Sequence, residues 1–122
     1  MNITVIIELV KAGAAGSPSL LWPRIESDSH LMTVGSGRPL EGAWKAGQVD
    51  MVGWLSELHG LDTLDAYQLL SQISEVPLAN VVDTNYSCVT KASKLLLPTS
   101  PAFDGLHAEL RARSAELGTV NY

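Results

Sequence analysis

Apolar and polar positions along the chain change period several times, and each change marks an element. The run Ile3-Thr4-Val5-Ile6-Ile7-Glu8-Leu9-Val10 is dominated by β-branched residues and predicts a strand over 3–10. Ile6 and Ile7 are neighbours on opposite faces, so cover on both faces of the sheet is expected. Gly13 to Pro18 is small and turn-forming and ends that strand. Apolar character resumes at Leu20-Leu21-Trp22, and a second strand is expected over 20–26, at an edge or strand end because Pro23 cannot donate to a ladder. Leu31-Met32-Thr33-Val34 predicts a third strand over 30–34, with Gly35-Ser36-Gly37 as its stop.

The period then turns helical. Leu40, Trp44, Gly47, Met51, Leu55 and Leu58 recur at three- and four-residue spacing, widened by Val52 and Trp54, with Glu41, Lys45, Gln48 and Asp50 opposite. This predicts a helix over 39–59, opened by Pro39 in its first turn and ended by Gly60. Gly42, Gly47 and Gly53 each weaken it by ~1 kcal/mol relative to alanine, so close packing must compensate. A second helix is expected over 63–75, capped by Asp62 or Thr63 and stopped by Pro77. Its inward face is Leu64, Tyr67, Leu70, Ile73 and Ser74, with Ala66 and Leu69 in support. The short Gly60-Leu61 link makes the two helices an antiparallel hairpin that lays its apolar stripe against the sheet.

Two further strands, over 78–82 and 87–91, flank the turn-forming Asp83-Thr84-Asn85-Tyr86 and read as a β-hairpin. Pro98 to Pro101 is a linker, and Phe103 to Leu117 predicts an amphipathic helix with alternating charges. The fold class is therefore α+β, with β-strands packed against an antiparallel helical hairpin over 1–98 and a linker and tail helix over 99–122.

Composition removes several function classes. Eight basic and thirteen acidic residues give a net charge of -5, so no basic field draws nucleic acid or an anionic membrane surface. Apolar runs stay far below the ~20 residues of a spanning helix, and the N-terminus lacks the pattern of a secretory signal. A single cysteine, Cys88, forms no internal disulfide, which makes a reducing cytoplasm the expected compartment.

The order of the segments supports an identification. "WPRIES", then "HLMTVGSGRPLEGAWKAGQVDMVGWLSELHGL", then "DAYQLLSQISEVPLANVVDTNYSCV" resembles the C-terminal part of the acetamidase/formamidase family, with similarity from about Ile3 to Pro98 and strongest from Trp22 to Asp83. The resemblance implies hydrolysis of the C–N bond of small linear amides such as formamide and acetamide, in a larger β-rich hydrolase fold. It also implies a divalent metal, zinc by resemblance, in the complete enzyme; a cation lowers the pKa of bound water and polarises the amide carbonyl. The family's long N-terminal portion, with its His- and Asp-containing segments and a Gly-Asp-Gly-Glu-like motif, has no counterpart in these residues. A C-terminal fragment or split subunit, inactive alone, is the expectation. Its partners would be the missing N-terminal half, a companion chain or a second copy, and the amide substrate would bind only in the complete enzyme. The alternative is a non-catalytic interaction or structural module derived from the same family.

Candidate chemistry is sparse. A catalytic zinc site takes three protein ligands and an open position, and His30, His59 and His107 stand at a strand start, a helix end and the tail helix, so no complete metal site is expected. Glu26 and His30, with Asp28, are the catalytic candidates, at the mouth of the family's active site or as a solvated strand-entry cluster. Asp83 and Asn85 are the substrate-binding candidates, with turn formation as their plainer role. His59 fits a helix C-terminus, bonding free carbonyls. Cys88 reads as a small buried apolar residue, and Trp44, Met51 and Trp54 as core or as an interface with missing elements.

Overall fold

In the computed structural model the described residues are 21–98 and 102–116, together with Val5, Ile7, Leu9 and Lys11. The strand expected over 3–10 lies outside them apart from Val5, Ile7 and Leu9, whose side chains are exposed. The turn expected at Gly13 to Pro18 and positions 99–101 of the linker also lie outside.

The elements in chain order are β1 (Arg24–Glu26), β2 (His30–Gly37), α1 (Leu40–His59), α2 (Thr63–Ile73), β3 (Ser74–Glu75), β4 (Leu78–Asn80), β5 (Tyr86–Ser93) and α3 (Leu106–Glu116). Short 3₁₀ turns, Lys94–Leu96 and Ala102–Gly105, precede α3. The architecture is α+β: one antiparallel sheet in the order β1-β2-β5-β3, with β4 also paired to β5, and α1 lying across it. Directly paired residues share a face. Leu31↔Ala92, Thr33↔Thr90 and Gly35↔Cys88 therefore face α1 together, and Arg24↔Thr33 and Glu26↔Leu31 extend that face onto β1. Met32, Val34, Val89 and Lys91 take the other side.

β2 does not stop at Gly35. It runs to Gly37, because Gly35 serves a tertiary contact and not a turn. A Cβ built on Gly35 would sit 2.0 Å from the Ala43 carbonyl oxygen and 2.4 Å from the Gly47 nitrogen. One on Gly47 would sit 2.9 Å from Thr90 Oγ1 and 3.3 Å from the Gly35 nitrogen. Helix and sheet thus meet backbone to backbone. The approach is fixed by Thr33, whose hydroxyl donates to the Gly47 carbonyl at 2.8 Å, and by Gln48 Nε2 donating to Thr90 Oγ1 at 3.4 Å. The glycine that weakens an isolated helix is what lets this one seat.

That contact also sets the rotation of α1. Its buried arc is Ala43, Gly47, Asp50, Met51, Val52, Trp54 and Leu55, so Asp50, expected on the polar side, points inward, and Trp44, expected inward, is partly exposed. Asp50 is stable there because Arg24 reaches it from β1. Arg24 Nε donates to Asp50 Oδ2 at 3.1 Å and Nη2 to Oδ1 at 3.2 Å, while Nη1 reaches Glu57 Oε2 at 3.0 Å. The guanidinium also lies 5.3 Å from the centre of the Trp54 ring. The Arg24 and Asp50 side chains are each only 3% exposed, which makes this a two-pronged ion pair inside the core.

Helix ends follow local chemistry. Gly60 closes α1 in the left-handed conformation (φ 64°, ψ 25°), Asp62 Oδ1 accepts from the Asp65 amide at 2.8 Å, and Ser56 Oγ donates to the Leu61 carbonyl at 2.7 Å across the link. α2 ends at Ile73, since Ser74 and Glu75 pair with Ala92 and Lys91 of β5. It buries Ala66 and Leu70; Leu64 and Tyr67, expected inward, are exposed. Of the strand expected over 20–26, position 20 lies outside the described residues and the described part is strand only over Arg24–Glu26, although the Pro23 carbonyl still accepts from the Val34 amide at 3.0 Å. The hairpin β4–β5 carries its turn at 81–85, so the strand expected over 78–82 ends at Asn80 and that expected over 87–91 widens to Tyr86–Ser93. The tail helix starts at Leu106 and not at Phe103: Phe103 and Asp104 are left-handed (φ 48° and 54°) and bring the Phe103 ring within 5.3 Å of the Trp54 ring, with Ala102 buried beside them.

A Gly35→Ala substitution forces a methyl group onto the α1 backbone and is expected to cost upwards of about 3 kcal/mol, measurable as a lowered urea midpoint. Gly53→Ala, with nothing within 4 Å of its Cβ, is expected to raise the midpoint by up to about 1 kcal/mol.

Candidate functional site

The sheet has two ends, and the candidate residues divide between them. At one end, β1 turns into β2 through Ser27, Asp28 and Ser29. Ser27 Oγ accepts from the His30 amide at 3.0 Å, and the Ser27 amide donates to the His30 carbonyl at 2.9 Å. Glu26 pairs with Leu31 and so lies on the α1 side, whereas His30 pairs with Ser93 and lies on the other. The sheet separates the two catalytic candidates.

Each has a local partner. Glu26 Oε1 takes Lys94 Nζ at 2.6 Å, and the Glu26 side chain is 9% exposed, with its second oxygen, Oε2, buried and without a hydrogen-bond partner among the described residues. His30 Nδ1 lies 2.7 Å from Ser29 Oγ. Asp28 turns away to the tail, meeting His107 Nε2 at 2.8 Å and pairing with Arg111. Hydrogen bonds from Arg111 and His107 hold its carboxyl below the ordinary aspartate range. The turn cluster of the sequence is, in the fold, a set of clamps: Lys94 on Glu26 and α3 on Asp28.

The substrate-binding candidates stand at the other end. Asp83 Oδ2 accepts from Asn80 Nδ2 at 2.8 Å, and the Asn80 Oδ1 accepts from the Val82 amide at 3.0 Å, so both side chains serve the hairpin turn. Asn85 is exposed in the same turn. Arg38, unremarked in the sequence, lies over the Tyr86 ring at 4.5 Å and donates to the Asp83 carbonyl at 3.2 Å. β2 spans the distance between the two ends, which at ~3.3 Å per residue is about 23 Å. Glu26 and His30 therefore do not meet Asp83 and Asn85 over one small substrate.

His59 stands in the last turn of α1, as expected, but does not bond its carbonyls. Both ring nitrogens are buried and, among the described residues, neither has a hydrogen-bond partner, so it bonds no free carbonyl there. Burial pushes its pKa down. Cys88 is fully buried on the α1 face of the sheet. Among the described residues, no three His, Cys, Asp or Glu side chains converge to hold a metal ion. Those residues do not fit a zinc centre by themselves. Also among the described residues, no helix is long and apolar enough to cross a membrane.

Of the residues that organise the two ends, Arg24, Arg38 and Lys94 escape a motif search. For Arg24 a signal exists, because the i, i+2 alternation of a strand puts it on the face of Glu26. Lys94 and Arg38 act across long sequence separations and leave no local trace.

Two comparisons return nothing: no protein-family model and no curated protein matches the chain. Among solved structures, the crystal structure of an acetamidase from Yersinia enterocolitica is similar to it, with 41% sequence identity and a TM-score of 0.63. The match covers 66% of this chain and 24% of that one. The chain thus spans about a quarter of the length of the acetamidase it resembles.

The buried, unpartnered His59 generates a pH effect. Its folded pKa lies below the ordinary value of 6.5, so the unfolded chain binds the extra proton first and stability falls as pH drops through 6.5 towards the folded value. Urea unfolding at pH 7.5 and 5.5 should show this acid loss, and a His59→Leu variant should show a smaller one.

Proposed function

We propose that this chain, which is similar to a solved acetamidase, is the C-terminal part, as a fragment or a split subunit, of an amide hydrolase of the acetamidase/formamidase family acting on C–N bonds of small linear amides. The observation that carries the reading is the similarity to a solved acetamidase, with 41% sequence identity and a TM-score of 0.63. The share of that acetamidase matched, 24%, is the reason for reading this chain as part of a larger β-rich hydrolase fold.

Within this reading, the chain is scaffold more than chemistry. Zinc, if the complete enzyme holds it, would supply a low-pKa water and polarise the amide carbonyl; its ligands belong to the remainder of the enzyme. Glu26 and His30 do not act as a pair, because the sheet stands between them. Glu26 is the better placed of the two: its buried, unpartnered oxygen is suited to receive a donor from the completing polypeptide. Asp83 helps hold the β4–β5 turn and Asn85 stands exposed in it, with any contact to substrate made through that turn's exposed rim. The single buried cysteine accords with a reducing cytoplasm.

A second reading, a non-catalytic interaction module of the same descent, draws on the dispersal of the candidate residues to opposite ends of the sheet. The two readings part at the bench. Purified 13.0 kDa chain, assayed for ammonia release from formamide and acetamide with and without added zinc, is expected to give no turnover. Sustained turnover by the homogeneous chain would contradict the incomplete site. Restored turnover on adding the missing part would favour the hydrolase over the module.

A further inference from the structure

The outer side of the α1–α2 pair carries an open groove of about 730 Å³. Its wall is apolar where a helix surface would ordinarily be polar: Val49 is 69% exposed, Leu64 63%, Tyr67 60% and Trp44 43%. We propose that this groove seats the polypeptide that completes the acetamidase-like fold, an inference that rests on the reading above.

Three observations point to that occupant. First, roughly three quarters of the similar acetamidase lies outside the matched region, which is a large body of further chain available to cover an apolar face of this one. Second, the groove adjoins another recess. Trp44 lines both the groove and a second recess of about 440 Å³ that reaches Leu78 and Cys88, which gives a strip running from α2 to β4, longer than scattered surface apolar residues provide. Third, the strip is electrically quiet. Lys45 at its rim is held by Glu41 at 2.6 Å, so an apolar segment meets no unpaired charge there, whereas two copies of this chain would each bring a net charge of -5. Two antiparallel helices with a Trp and a Tyr at the lip form the groove that takes an amphipathic helix or an extended apolar segment, with the aromatic side chains as anchors.

The test is to co-express the full chain with the segment of the Yersinia enterocolitica acetamidase outside the match, and to measure association by co-purification and light scattering. The expected result is a one-to-one complex that Val49→Glu/Tyr67→Glu weakens about 30-fold or more, on the scale of two lost anchors, while Ile25→Glu on the opposite face of the sheet leaves it intact. Matched circular-dichroism melts of the variants exclude unfolding as the cause. A wild-type complex that the groove variant leaves unchanged would place the partner elsewhere and overturn this inference alone. Two soluble polypeptides that never associate would overturn it together with the companion-chain reading. Self-association of the wild-type chain, abolished by Val49→Glu/Tyr67→Glu, would make a second copy the occupant and overturn the proposal.

Discussion

The backbone contact between β2 and α1 governs the rest of the structure. With Gly35 facing Ala43 and Gly47, the helix axis comes closer to the sheet than side chains larger than hydrogen permit, and a hydroxyl from each central strand, Thr33 and Thr90, meets the helix at that point. Once this distance is set, the rotation of α1 is set with it. Met51 and Leu55 fall into the core with Leu31 and Ala92, α2 packs Ala66 and Leu70 behind them, and Asp50 arrives where Arg24 can take it. The helix-weakening cost of glycine is local, about 1 kcal/mol, and is offset by burial along the whole seam.

The Arg24–Asp50–Glu57 cluster is the second constraint. Burial alone would favour the neutral form of Arg24, but hydrogen bonds to Asp50 and Glu57 outweigh it and raise its pKa, so the guanidinium stays charged inside the core. Such a pair adds little over an apolar equivalent, yet losing one member leaves a buried charge and costs about 3–5 kcal/mol. Its effect is to tie the edge strand to the middle of α1 in one register. The Trp54 ring beneath Arg24 also receives Phe103, so the tail closes over the same point.

Much of this was legible along the chain. The helical period of α1, the stop at Gly60 and the cap at Asp62 are local signals, and the structure places both helices and their link there. Gly35 misleads, because a strand glycine reads as a breaker unless the surface opposite it is known. Asp50 reads as a polar-face residue for a related reason: the cation that buries it lies 26 residues earlier. Glu26 and His30 are near neighbours in sequence, and only the register across the Ser27–Ser29 turn shows that they occupy different faces. Asp83 and Asn85 were legible as turn residues, and in the fold a turn is where they are.

The seam of β2, β5 and α1, in a chain similar to part of a solved acetamidase, is an ordered core of its own. Native-state amide hydrogen exchange on the isolated chain tests this most directly. The account predicts that the slowest amides lie together in β2, β5 and the Met51–Leu55 stretch of α1, exchanging only through global unfolding, with α3 opening far more readily. Exchange in α1 as fast as in α3, or β2 and β5 unprotected, would contradict it.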